Sequence, residues 1–486
     1  MVSLQDIVND NLSLTRSKLK LDKALVMEIQ LLLSALGYYP GGGWIDGDLG
    51  GVRSFSWKGS ISFCTDTRVS LPSSASAINS DIAQKLLDTK QVVSIFNSAD
   101  ISSIRQKLKK IQDASIIVNG NVASASFVAR TINKSPFQTQ INKYPTHLAQ
   151  KPDGTSIISY GDSFTFSNGS SVNFSDYPNQ GNKPTIDTEG LNFLPANISH
   201  ACVCIGSFGD TNSLIKTRWL GKNPFSPQQL LSATKFIGVL NAICQINNNN
   251  IDVDVDDCVI ESPRYRFNEL LKDMVNYSLQ ISSSNRIGAL FKRFTERPQL
   301  ERWIVEQTGN TGIKFRGGYG ENSLISNPKI RDTTTNQVVL SFDDTGSTGN
   351  NLISTYDLVR LISMLGWHLH LPNTAKLPSA QWKSLESVIR AMGLDTARYV
   401  DVALETLGVV NVINQPVIIS KVGWGNSSMA YTALVKFVDE RTTPHKLRTF
   451  ALALRSPTPS SNKSRDTNLA VAVTEIIRRI LSEDLA

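Results

Sequence analysis

The sequence predicts an α+β fold: an antiparallel sheet with helices on both faces, preceded by a small helical domain. Three observations predict it. Two strand-like segments, 201–207 and 213–220, are followed only much later by three more at 410–420, 427–438 and 446–455. A helical block over 226–310 stands between the two groups, and residues 466–485 form a closing amphipathic helix. Strands clustered at the two ends of a helical middle pair antiparallel more readily than strands that alternate with helices.

At the start of the chain, the stretch 25–33 carries apolar residues at helical spacing and stops at Leu36-Gly37, where glycine suits a left-handed helix end. Asp46-Gly47 and Gly50 supply tight turns, and residues 1–80 are expected to form one small helical domain. Residues 81–184 read as a helical segment, including 101–111, and then a polar linker. The linker is rich in Ser, Asn, Gly, Pro and Thr, and a hairpin is expected from 156–160 and 163–166 around Gly161-Asp162. Residues 185–486 form the main domain, its first two strands joined through Gly209-Asp210-Thr211-Asn212. A helix begins after Ser354, a natural N-cap.

Composition narrows the function classes. The 486 residues carry a net charge of +7, scattered without a dense basic run, so no nucleic-acid partner is expected. Five cysteines are too few and too odd in number for a disulfide framework, and Cys202 and Cys204 share one face of a strand. No run approaches about 18 consecutive apolar residues, so no membrane span is expected. The start lacks the apolar core of a secretory signal, which predicts a cytoplasmic or non-classically exported chain, periplasmic or extracellular if its substrate is the cell wall. Asp252, Asp254, Asp256 and Asp257 lack the glycine and glutamate of a calcium loop. His368 and His370 have no third ligand at metal spacing, and no P-loop or dinucleotide fingerprint occurs. No cofactor is expected, and oligomeric state is not readable from the sequence.

Chemistry concentrates in three ordered fragments: Ser232-Ala233-Thr234-Lys235, Ser283-Ser284-Asn285, and Lys421-Val422-Gly423 ahead of a strand. Ser232 opens an apolar helix, and residues i and i+3 share a helix face, so the Lys235 amine reaches toward the Ser232 hydroxyl. A desolvated lysine among cations loses its proton near neutral pH and becomes a base. This order resembles the signature of the serine β-lactamase and penicillin-binding protein superfamily, class A β-lactamases above all. Arg297-Pro298-Gln299-Leu300, with Gly309 later, resembles the class A helix that comes next, so the likeness spans roughly the last 300 residues.

The resemblance implies a β-lactamase/transpeptidase-like fold and an acyl-enzyme mechanism. Ser232 would be the nucleophile and Lys235 its base, with Ser283 relaying a proton to the leaving group. Asn285 would hold the substrate amide, Lys421 would add positive charge, and Glu321 would activate the hydrolytic water. The backbone N–H groups of Ser232 and Trp424 would form the oxyanion hole, with Gly423 and Trp424 along the substrate. The family's middle hydroxyl in the third fragment is replaced by Val422, which cannot bind a carboxylate. Separately, Gln30-Leu31-Leu32-Leu33 with Leu36-Gly37-Tyr38-Tyr39 and Ile45-Asp46-Gly47 resembles the small peptidoglycan-binding domain, which implies three helices for this first domain. Both likenesses imply peptidoglycan-type peptides as substrate. An amidase or esterase on a small non-wall substrate and an inactive binding protein of the same fold are the alternatives.

Overall fold

The computed structural model describes residues 2–35, 47–50, 55–67, 69–70, 77–92, 105, 108, 127–209, 214–344, 346–457 and 461–486. They form two units. The first comprises Met1–Gln138, Arg398–Ile413 and Asp466–Leu485; the second comprises Thr139–Ala397, Asn414–Arg465 and Ala486.

The second unit is built on an antiparallel sheet of long strands: β1 (His200–Phe208), β2 (Ile215–Lys222), β3 (Ile413–Trp424), β4 (Ser428–Asp439) and β5 (His445–Pro457). Their spatial order is β3-β4-β5-β1-β2. The β4–β5 ladder runs unbroken from Ser428 opposite Pro457 to Asp439 opposite Lys446. In β1, Cys202 and Cys204 are buried, and all five cysteines are free thiols.

Helices α1 (Lys235–Asn249), α2 (Phe267–Asn276), α3 (Ser284–Phe291), α4 (Arg297–Thr308), α5 (Thr355–Gly366) and α6 (Trp382–Met392) lie between the strand groups in sequence. Ser354 caps α5 in a reciprocal box with Asp357. That helix packs on β1, β4 and β5, close enough that a Cβ on Gly366 would stand 2.5 Å from Leu434. Four short strands, Cys258–Ile260, Tyr265–Arg266, Lys329–Asp332 and Val338–Ser341, form a second small sheet.

The segment expected to be a linker is part of the second unit. Ile157–Ile158 pairs parallel with β5, Ser175–Asp176 pairs antiparallel with β2, and Ile186–Asp187 pairs parallel with β2. The hairpin pairs Ser163–Thr165 with Ser171–Asn173 and turns at Gly169, whose φ is +83°. Gly161-Asp162, the expected turn, lies outside it. The expected β1–β2 connection at 210–212 falls outside the described residues, Gly209 excepted.

In the first unit, helices Leu4–Asn9, Lys23–Ala35, Phe55–Thr67 and Ser80–Val92 surround a core that includes Leu4, Ile7, Val26, Ile29, Leu33, Trp57, Phe63, Ile82 and Leu86. A two-stranded ladder, Ser13–Thr15 with Ala77–Asn79, and the helix Tyr399–Thr406 join them. The unit is therefore larger than the expected three-helix domain. The peptidoglycan-binding-like motif lies mostly outside the described residues, at 36–46 and 51–54, and so does the expected helix at 101–111 apart from Arg105 and Leu108. No described helix is long and apolar enough to cross a membrane.

Candidate active site

Ser232 lies in a short 3-10 turn, Leu231–Thr234, that leads directly into α1 at Lys235. In such a turn residues i and i+3 eclipse one another, which sets Ser232 and Lys235 on one side. Leu231, just before the serine, has φ of 55°, a region that bulky side chains avoid. Ser232 lines a cavity of about 1200 Å³ together with Asn285, Tyr319, Glu321 and Trp424. Its hydroxyl forms no hydrogen bond with the described residues.

Lys235 is 1% exposed. Its Nζ donates to Ser284 Oγ at 2.9 Å and to Asn285 Oδ1 at 2.7 Å. The methylene stem lies against α3, where a Cβ on Gly288 would come 3.0 Å from Lys235 Cγ. Burial pulls the amine down to about 6, helped by the positive charge of Lys421 and opposed by Glu321. A lysine so placed is largely neutral at pH 7 and can accept a proton.

The serine run divides its duties differently from expectation. Ser283, expected as the proton relay, instead caps α3 and donates to Glu321 Oε2 at 2.6 Å. Ser284 is the serine that meets Lys235, and its own hydroxyl donates to Met274 O at 2.6 Å. Both follow from the loop between α2 and α3, which the buried carboxylate of Asp273 organises. It accepts the backbone N–H groups of Gln280, Ile281 and Ser282 and the hydroxyl of Ser278. Burial alone would raise the Asp273 carboxyl; these hydrogen bonds outweigh it and hold the group below its ordinary value.

Lys421 is buried in β3 and is not among the cavity-lining residues. Its Nζ donates to Tyr277 Oη at 2.7 Å and stands 3.9 Å from the centre of that ring. Tyr277 Oη donates onward to Val422 O at 3.2 Å. Lys421 is thus turned toward Tyr277, which sequence reasoning missed, with Asp395 Oδ1 3.9 Å from its amine, and neither Lys421 nor Tyr277 lines the cavity. Tyr277 ends α2 in the left-handed conformation, at φ 56°. Tyr319, also missed, is half-buried at the cavity, shares a hydrogen bond with Thr234 Oγ1 at 3.1 Å, and has its ring 5.4 Å from Lys235 Nζ. Gly423 is forced by proximity, since a Cβ there would lie 2.3 Å from Leu230 O and 2.9 Å from Ala233 N. Trp424 follows it at the cavity, 45% exposed.

Among the described residues no group of His, Cys, Asp and Glu is placed to hold a metal. Asp254 caps a 3-10 turn and Asp256 pairs with Arg390, while His370 bonds Leu148 O through Nε2 at 2.7 Å.

No family model matches the chain, and no curated protein matches it. Solved structures similar to it include a β-lactamase from Xanthomonas campestris pv. campestris, at 10% identity and TM-score 0.35, covering 58% of this chain and 91% of that one. A class A β-lactamase representative from Bacteroides cellulosilyticus shows 13% identity and TM-score 0.35, covering 59% and 94%. PBP-A shows 12% identity and TM-score 0.35, covering 62% and 99%. Such values carry nothing about activity, which rests on the side chains of the site alone.

Proposed function

We propose that the second unit is a serine acyl-transfer hydrolase acting on an amide or ester bond. The observation that supports it best is the buried amine of Lys235, brought down to about 6, three residues from a serine that opens onto a large cavity. Lys235 Nζ takes the proton of Ser232 Oγ as the oxygen attacks the carbonyl, and an acyl-enzyme forms as the leaving group departs. Lys235 then returns the proton to the leaving group, with Ser284 and Asn285 holding the amine in place. Glu321, held by Ser283, is the base for the water that releases the acyl group. The backbone N–H groups of Ser232 and Trp424 take the oxyanion.

The substrate class we favour is a peptide of the peptidoglycan type. The cavity suits a hydrogen-bonding molecule, since Gln229, Asn285, Asn322, Ser323, Asn350 and Asn351 all line it. A second reading, an amidase or esterase acting on a small non-wall compound, is favoured by Val422, whose buried side chain has no hydroxyl to offer a carboxylate.

Intact mass after incubation with a fluorescent penicillin and, separately, a fluorophosphonate tests both. Adducts from both reagents, absent in Ser232→Ala, support the peptidoglycan reading. A fluorophosphonate adduct alone supports the second. No adduct from either sinks the hydrolase. Lys235→Ala should slow labelling by roughly 10²–10⁴-fold, the usual worth of a positioned base.

A further inference from the structure

Arg297 opens α4 and is 4% exposed, yet its side chain forms no hydrogen bond with the described residues. Its Nε and Nη1 are buried without partners. The nearest carboxylate oxygen, Asp344 Oδ2, stands 3.8 Å from Nε, beyond hydrogen-bond range. Asp344 is engaged elsewhere: Oδ2 accepts the backbone N–H of Arg297 at 2.6 Å and Oδ1 accepts that of Gly346 at 2.6 Å. A buried guanidinium with empty donors is costly unless something in the cavity meets it.

The cavity that Arg297 lines is the one that Ser232 lines. Arg286 and Arg293 line it too, seven residues apart along one side of α3 and the turn after it. Arg293 is held by Asp343, while Arg286 is exposed. Against these three guanidinium groups the cavity presents two carboxylates, Glu321 and Asp344. Arg293 is neutralised by Asp343 and Glu321 is bonded to Ser283, so Arg286 and Arg297 are the two guanidinium groups of this wall whose side chains form no hydrogen bond with the described residues. Ser347 and Asn350 line the same cavity and offer neutral donors.

We propose that Arg297 is the centre of an anion subsite that binds a carboxylate carried by the acyl substrate of Ser232. A planar guanidinium with free donors matches a planar carboxylate in shape as well as charge. The assignment rests on the acyl-transfer reading of Ser232 and Lys235 and narrows it to acidic acyl compounds.

Two measurements on the full chain test it and separate its failure from that of the hydrolase reading. The first compares kcat/KM for the p-nitrophenyl half-ester of glutarate with that for p-nitrophenyl butyrate. Wild type should prefer the half-ester, and Arg297→Gln should lose at least about tenfold on it while keeping its rate on butyrate. Arg297→Lys should recover part of the loss. The second is calorimetric titration of Ser232→Ala with glutarate, with its neutral diamide and with inorganic phosphate. Glutarate should bind, and at least about tenfold more weakly once Arg297→Gln is added. Hydrolysis of both esters without preference in wild type overturns the subsite, leaves the hydrolase reading intact, and needs no folded variant. Binding of the diamide or of phosphate as tightly as glutarate also overturns it. Glutarate binding that depends on Arg297, with neither ester hydrolysed, supports the subsite and overturns the hydrolase.

Discussion

Lys235 carries the sharpest prediction at the scale of single residues. In the proposed mechanism the base must be neutral to act, and burial with Lys421 nearby holds the Lys235 amine down to about 6. The neutral fraction therefore rises with pH through that value. Fluorophosphonate labelling of Ser232 should climb about tenfold per pH unit below 6 and level off by about pH 8. Lys235→Arg should remove both the rate and the inflection, since arginine keeps its proton throughout. A flat profile across this range would exclude Lys235 as the base. The spacing of Ser232 and Lys235 was legible in the sequence, but the partners of the amine were not: it bonds Ser284 and Asn285, and the Ser232 hydroxyl bonds none of the described residues. The roles of Ser283 and Ser284 were not, because Ser282, Ser283 and Ser284 are chemically identical and only the backbone decides which one faces the amine. Tyr277 was illegible for a different reason: it reaches Lys421 only because the chain turns left-handed there.

Among the elements, the loop between α2 and α3 is held by one carboxylate. Asp273 accepts four hydrogen bonds from that loop, so Asp273→Asn should cost about 1–3 kcal/mol in urea unfolding. The sign with pH follows from its lowered folded value. Its contribution is complete above the ordinary carboxylate range, near pH 4, and fades as pH falls through the folded value. The gap between variant and wild type should therefore narrow in acid, and a gap that is constant with pH would refute the assignment. The long strands of the sheet were readable from their apolar texture, with ends misplaced by a few residues. The hairpin was misplaced for a physical reason. Ile157–Ile158 is claimed by a distant partner, β5, and Asn168-Gly169 makes the turn instead. Asn-Gly is the stronger local turn signal, but the apolar run beside Gly161-Asp162 drew the reading there.

For the whole molecule, the first unit is assembled from three separated stretches of chain. Arg130 binds Glu405 through both guanidinium ends, at 2.8 and 2.5 Å, with both side chains buried. Asp466 accepts the backbone N–H groups of Phe127 and Val128 at 2.9 and 3.1 Å and the hydroxyl of Tyr399 at 2.7 Å. Glu405→Gln should lower stability by roughly 3–5 kcal/mol, because it takes a negative charge away from a buried guanidinium. A chain lacking residues 1–138 strands Glu405 and Asp466 together and should melt well below the full protein or aggregate. If it melted at the same temperature, the unit would not be one cooperative body. No sequence pattern discloses such pairings, since the partners stand hundreds of residues apart. They also set the order of events during synthesis. The first 138 residues emerge early but wait for their last partners through roughly 350 more residues, about 20–70 s at ordinary ribosomal speed. Through that interval the nascent chain carries Arg130 without Glu405 and the Phe127 and Val128 N–H groups without Asp466, a core half-built.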